Sequence, residues 1–203
     1  MAGRVFAGLI ALVAWVGLVV QWAALCTPET TAFAALGIMF GFFTITTNLL
    51  VAIVFSSVAL DRGGLRAAWV VAGTTLSILL VGVLYGLLLH GLVELAGGGA
   101  VANVLLHMVT PVLALLYWIF FTEKGSLSWQ CPLLWTIYPL AYLGYMLVRG
   151  EVTGRYPYPF LNVAVLGWVR TGVNAAVIAV AFLAASYAMV WSDCRLGRRV
   201  QTQ

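Results

Sequence analysis

From position 31 to position 60 the chain carries no Asp, Glu, Lys or Arg. A run of that length restricts the fold severely. A helix needs about 20 apolar residues to cross a ~30 Å hydrocarbon layer, and it satisfies its backbone donors and acceptors within its own segment. Five further apolar runs follow the same pattern, so six helices are expected near 5–25, 33–60, 68–93, 100–121, 130–149 and 165–191. Strand-type alternation is absent. With 64% hydrophobic and 8% charged residues among 203, and a mean hydropathy of +1.07, the composition lies outside that of a soluble domain. The expected fold is all-α: a polytopic membrane protein of six transmembrane helices in one domain, 1–203, without soluble module, linker or internal repeat.

The first run follows Arg4 but is about twice as long as a signal-peptide core, so it reads as an anchor. Leu25 stands before Cys26, where a lipoprotein cleavage box wants a small residue. Arg4, Arg62, Arg66, Lys124, Arg195, Arg198 and Arg199 fall on one side of a six-helix weave, and Arg149, Arg155 and Arg170 on the other. That asymmetry places both termini in the cytoplasm and the protein in a plasma (inner) membrane. Glu29, Glu94 and Glu151 then lie outside, and the acidic residues are expected at helix ends. Cys26 falls on the opposite side from Cys131 and Cys194, which argues against a structural disulfide. The net charge of +4 reflects this topology and contact with anionic lipid headgroups. No solvated basic patch interleaved with aromatics is present, so nucleic acid is not an expected partner.

Polar side chains in a hydrocarbon layer are expensive unless paired, which makes their depth and face informative. In the second expected helix Thr44 lies on the order of 16 Å below Phe33, at 1.5 Å per residue. Thr47, Asn48 and Val51 share its face, and Thr46 points nearly the opposite way. In the fourth helix His107 lies on the order of 10 Å in, with Asn103 and Thr110 or Pro111 on its face. In the sixth, Arg170 and Asn174 form an i, i+4 pair at a similar level. Three helices thus bring polar groups to one level in the outer half of the membrane. A membrane threonine commonly bonds its own backbone, and asparagines join helices. A buried histidine titrates near neutrality and is the more functional signal. His90, beside Glu94, suits the interface, and AGGGA at 96–100 suits close packing or a turn.

Two histidines seventeen residues apart, without ligand-spaced cysteines or carboxylates, do not make a zinc or iron site. They lie at different depths, which excludes bis-histidine haem. GxSxG, HExxH and P-loop patterns are absent, so neither metal nor cofactor is expected. A hydroxyl and an imidazole remain, the minimum pair for acyl transfer to a nucleophile activated by a general base. Thr44, Thr46 and Thr47 are all candidates for the hydroxyl.

FFTITTN in the second helix, His107 with Pro111 in the fourth, and RGEVTGRYPYPFLNV at 149–163 together resemble the androgen-induced-gene family of membrane proteins and its bacterial six-helix branch. YPYPFL at 156–161 is the most specific piece. The resemblance implies a transmembrane threonine hydrolase that cleaves fatty acid esters of hydroxy fatty acids, with Thr44 as nucleophile and His107 as base. The chain departs from the family at Thr47, where an acidic or amide residue is usual, and at Arg155 and Asn162, near the usual tryptophan and aspartate. On this reading Asn48, Asn103 or a carbonyl freed by Pro111 orients the imidazole. Asn48, Asn174 or Arg149 donates to the oxyanion, and Arg149 could instead pair with a substrate carboxylate. Tyr158, in the proline-stiffened turn 156–159, forms a lid or an interfacial belt. The partners expected are membrane lipids and a long-chain acyl ester. The alternatives from other classes are a small-solute or proton-coupled transporter and a non-catalytic membrane scaffold.

Overall fold

The structure, a computed structural model, describes residues 1–201 and the side chains of residues 1–198. It is built from helices, with no strand among the described residues. Six helices, 18 to 36 residues long, are long and apolar enough to cross a membrane. The chain divides into two compact units, Met1–Glu123 and Lys124–Gln203.

In the first unit α1 (Ala2–Leu25) packs on α3 (Phe43–Leu60) and α5 (Gly97–Val104). Helix α3 packs on α4 (Ala68–Leu84), and α4 on α6 (Thr110–Phe121), which returns to α1. The result is a closed ring of four helical rods around Ile10, Val51, Phe55, Ile78 and Leu106, all fully buried. Phe55 meets Tyr117 edge to face at 5.1 Å, a favourable quadrupolar geometry. Leu12, Val16 and Val19 of α1 stay exposed, the outward apolar face that a lipid-facing helix requires.

Three departures from regular α-helix shape this unit, and hydropathy reveals none of them. The expected helix 33–60 is two helices, α2 (Ala32–Met39) and α3, separated by Phe40–Gly41–Phe42. Thr31 caps α2 by accepting from the Ala34 N–H at 3.2 Å, as N-cap threonines do. The expected helix 68–93 ends in a π-helical turn at Tyr85–Leu89. The fourth helix starts at Gly97 rather than position 100, and a second π turn, Leu105–Val109, joins α5 to α6.

In the second unit α7 (Cys131–Thr153) pairs with α8 (Val163–Gln201), both longer than the expected 130–149 and 165–191. Gly167, at φ 72°, breaks α8 near its start, a backbone region open to glycine and costly for other residues. The longer α8 corrects a further expectation. Asp193 lies inside it rather than at a helix end, and is fully buried. Its Oδ2 accepts from the backbone N–H groups of Gly125 (2.9 Å) and Leu127 (3.0 Å), so the carboxylate holds the loop before α7. In that loop, burial pushes the Lys124 ammonium below its usual range, and the Asp193 charge partly offsets this. Cys26, Cys131 and Cys194 are all free thiols.

Candidate active site

Because α3 starts at Phe43, Thr44 is the second residue of a helix rather than a mid-helix residue. The positive end of the α3 dipole therefore lies at its hydroxyl. Thr44, Thr47, Asn48 and Val51 form one buried face of α3, with Thr44 7% exposed. Thr46, half-buried, bonds the Phe43 carbonyl at 3.1 Å, the self-bonding common to helix threonines.

The buried face of α3 packs against the π turn Leu105–Val109, which carries His107. Thr44 Oγ1 lies 3.1 Å from His107 Nε2, and His107 Nδ1 lies 3.1 Å from the Asn103 carbonyl oxygen. A carbonyl can only accept, so Nδ1 carries the proton and Nε2 presents its lone pair to the threonine O–H. The second contact thus selects the tautomer that the first requires. The orienting group is the backbone carbonyl of Asn103. The side chains of Asn103 and Asn48, and the carbonyl that Pro111 frees, do not take that part.

Asn48 has a different task. Its Nδ2 donates to the carbonyls of Thr44 (2.8 Å) and Leu106 (3.2 Å), so both amide hydrogens are engaged and the oxyanion role expected of it is closed. The amide joins the residue bearing the hydroxyl to the residue preceding the histidine. The Asn103 side chain donates from Nδ2 to the Tyr85 hydroxyl at 2.6 Å.

Tyr85, absent from the expectations above, covers the imidazole. Its ring centroid lies 4.4 Å from that of His107 with planes 30° apart. Tyr85 opens the π turn after α4 as His107 lies within that before α6, and such turns recur at functional sites. Gly82, three residues before Tyr85, permits the approach: a Cβ there would lie 3.2 Å from the His107 carbonyl oxygen and 3.2 Å from the Pro111 ring. A tyrosine in an apolar span was itself a signal, since its hydroxyl needs a partner. His90, exposed, meets the Tyr85 edge at 5.6 Å.

The other expected site residues belong to the second unit. Arg149, half-buried, lies inside α7 rather than at its end, because α7 continues to Thr153. Asn174 donates from Nδ2 to the Phe160 carbonyl at 2.8 Å, clipping the segment Pro159–Leu161 to α8. Arg170 is exposed. Tyr158 is buried and stacks on Phe160 at 5.4 Å. Tyr156 bonds Glu151 at 2.9 Å, its ring filling the space that a Cβ on Gly150 would occupy. The YPYPFL turn is thus packed on its own unit.

The arrangement in the first unit can deprotonate a hydroxyl: an activated alcohol and an imidazole of fixed tautomer, set in an apolar surround. Comparison with protein-family models, with characterised proteins and with solved structures finds no match.

Proposed function

We propose that this protein is a membrane-embedded ester hydrolase in which Thr44 is the nucleophile and His107 the general base. The observation that carries this reading is the 3.1 Å contact between Thr44 Oγ1 and His107 Nε2, with Nδ1 committed to the Asn103 carbonyl. The O–H proton of Thr44 passes to Nε2 as the Oγ–carbon bond to the ester carbonyl forms. Collapse of the tetrahedral intermediate breaks the ester C–O bond, and His107 returns the proton to the leaving alkoxide as the alcohol departs. Water then attacks the acyl-threonine carbonyl, giving one proton to His107; the acyl carbon–Oγ bond breaks as His107 returns that proton to Thr44 Oγ, and the carboxylic acid leaves. Charge on the tetrahedral oxygen develops near the positive end of α3, a favourable electrostatic setting.

The apolar helices suit long acyl chains that enter from the bilayer, and the family resemblance points to fatty acid esters of hydroxy fatty acids. The excess of basic residues in the loops carrying Arg62, Arg66 and Lys124 supports cytoplasmic termini, an inner-membrane location, and a site nearer the outer face. Labelling with a fluorophosphonate probe followed by peptide mapping tests the reading. The adduct should lie on Thr44 and vanish in Thr44→Ala and His107→Ala. A folded wild-type protein that neither labels nor cleaves long-chain esters would remove it.

A further inference from the structure

Both ring nitrogens of His107 meet neutral partners, the Thr44 hydroxyl and the Asn103 carbonyl. A histidine that takes a proton in an apolar span needs charge compensation. In serine triads a carboxylate on Nδ1 supplies it. Here α3 offers the Thr44 hydroxyl, the histidine's own helix the Asn103 carbonyl, and the turn after α4 the ring of Tyr85. Helix α1 brings Gly17 against Leu106. Among the described residues no Asp, Glu, Lys or Arg pairs with the imidazole.

We propose that the π face of Tyr85 stabilises protonated His107, taking the part in this dyad that a carboxylate takes in a triad. The imidazole lies over the phenol ring at 4.4 Å, inside the ~6 Å reach of a cation–π contact, which strengthens when desolvated. The ring is held for that purpose. Asn103 donates to its hydroxyl at 2.6 Å, and Gly82 lets the α4 backbone close on the His107 carbonyl. Asn103 therefore serves both rings, its carbonyl fixing the imidazole and its amide the phenol. Tyr85 acts through His107, as a positioning residue. The inference rests on the general-base reading for its role in turnover, but the stabilisation itself is measurable without turnover.

The test replaces Tyr85 in the full chain with phenylalanine and with mono-, tri- and pentafluorophenylalanine, which nearly preserve shape while draining negative potential from the ring face. Two quantities are read in detergent: the pH midpoint of the His107 imidazole ¹⁵N shifts, and kcat/KM on a long-chain p-nitrophenyl ester. From phenylalanine to the pentafluoro ring the midpoint should fall stepwise by about one pH unit, with kcat/KM falling about tenfold. A packing role would be insensitive to fluorine, so a flat midpoint across the folded series overturns the proposal. A graded midpoint in a chain that cleaves no ester upholds the proposal and removes the hydrolase reading alone. Should the pentafluoro variant fail to fold, the mono- and trifluoro members still give the slope.

Discussion

Asn48 of α3 holds the carbonyl of Leu106, the residue before His107, at 3.2 Å, while the same nitrogen holds the Thr44 carbonyl at 2.8 Å. One fully buried amide thus sets the distance between the hydroxyl and the imidazole. Asn48→Leu keeps the volume and leaves two carbonyls without that donor, at a cost of about 1–3 kcal/mol. Thermal unfolding in detergent should show the loss. In the protein that remains folded, kcat should fall at least tenfold with KM little changed, as expected of an amide whose hydrogens are both held by backbone carbonyls and that acts by positioning Thr44 and His107.

On the proposed mechanism Thr44 and His107 act as one unit, as a nucleophile and its base do. Thr44→Ala, His107→Ala and the double variant should each lose nearly all esterase activity, of the order of the 10²–10⁴-fold contributed by general-base catalysis or more, without additivity. Thr44→Ser should retain part of it. Thr46→Ala, which removes a bond to the Phe43 carbonyl and leaves the Thr44–His107 contact in place, should retain most. Ester hydrolysis by folded Thr44→Ala alongside an inactive Thr47→Ala would move the nucleophile by one turn.

Gly82→Ala places a methyl 3.2 Å from the His107 carbonyl oxygen and the Pro111 ring. Overpacking of this kind costs about 1–3 kcal/mol, and it pushes α4, with Tyr85, away from the imidazole. Gly86→Ala, where no atom lies within 4 Å of the added Cβ, is the control. Melting temperature and kcat should both drop for the first and hold for the second.

In the second unit, Asp193→Leu strips the Gly125 and Leu127 N–H groups of their acceptor. A loss of about 2–6 kcal/mol is expected for two orphaned donors, with Asp193→Asn milder because its carbonyl can still accept. Asp193 raises the Lys124 titration against burial, so removing the carboxylate should move that titration further down. Thermal melts and ¹⁵N detection of the Lys124 amine check the two effects.

The proposed orientation is tested with single cysteines at Ser126 and Thr153 in a background lacking Cys26, Cys131 and Cys194. An impermeant maleimide applied to intact cells should react at position 153 and leave 126 untouched. The reverse pattern would invert the topology.

Much of the architecture is legible in the sequence, because a bilayer leaves a long uncharged run little freedom except to be helical. The buried face of α3 is legible too, since Thr44, Thr47, Asn48 and Val51 fall at helical spacing. The break at Phe40–Gly41–Phe42 is not, because hydropathy responds to side chains and not to backbone dihedrals. The π turns are hidden for a related reason: an extra residue shows in a pattern only where a polar face runs through it, and the polar residues of α4, Thr74, Thr75 and Ser77, all lie before the turn. Hydropathy puts Asp193 at a helix end because the apolar run stops near Trp191, while the helix continues through Ser192 into residues that the run does not predict. Tyr85 was readable as a hydroxyl in need of a partner, but its partner Asn103 becomes a neighbour only through packing.

The π turn at Leu105–Val109 also constrains how the chain can change in length. Such a turn holds one residue more than an α-helix of the same rise. Removing a residue there would let the rod close into regular α geometry, and few insertions or deletions in an apolar span would disturb hydropathy so little. Yet each residue turns an α-helix by about 100°, so the half bearing Asn103 and the half bearing Pro111 would be rotated against each other. Either the imidazole would leave Thr44 or α6 would lose its seat on α4. The site is therefore written partly in residue count. A variant of this chain lacking Met108 would keep its span, nearly all its hydropathy and every side chain named above, and still be a different machine.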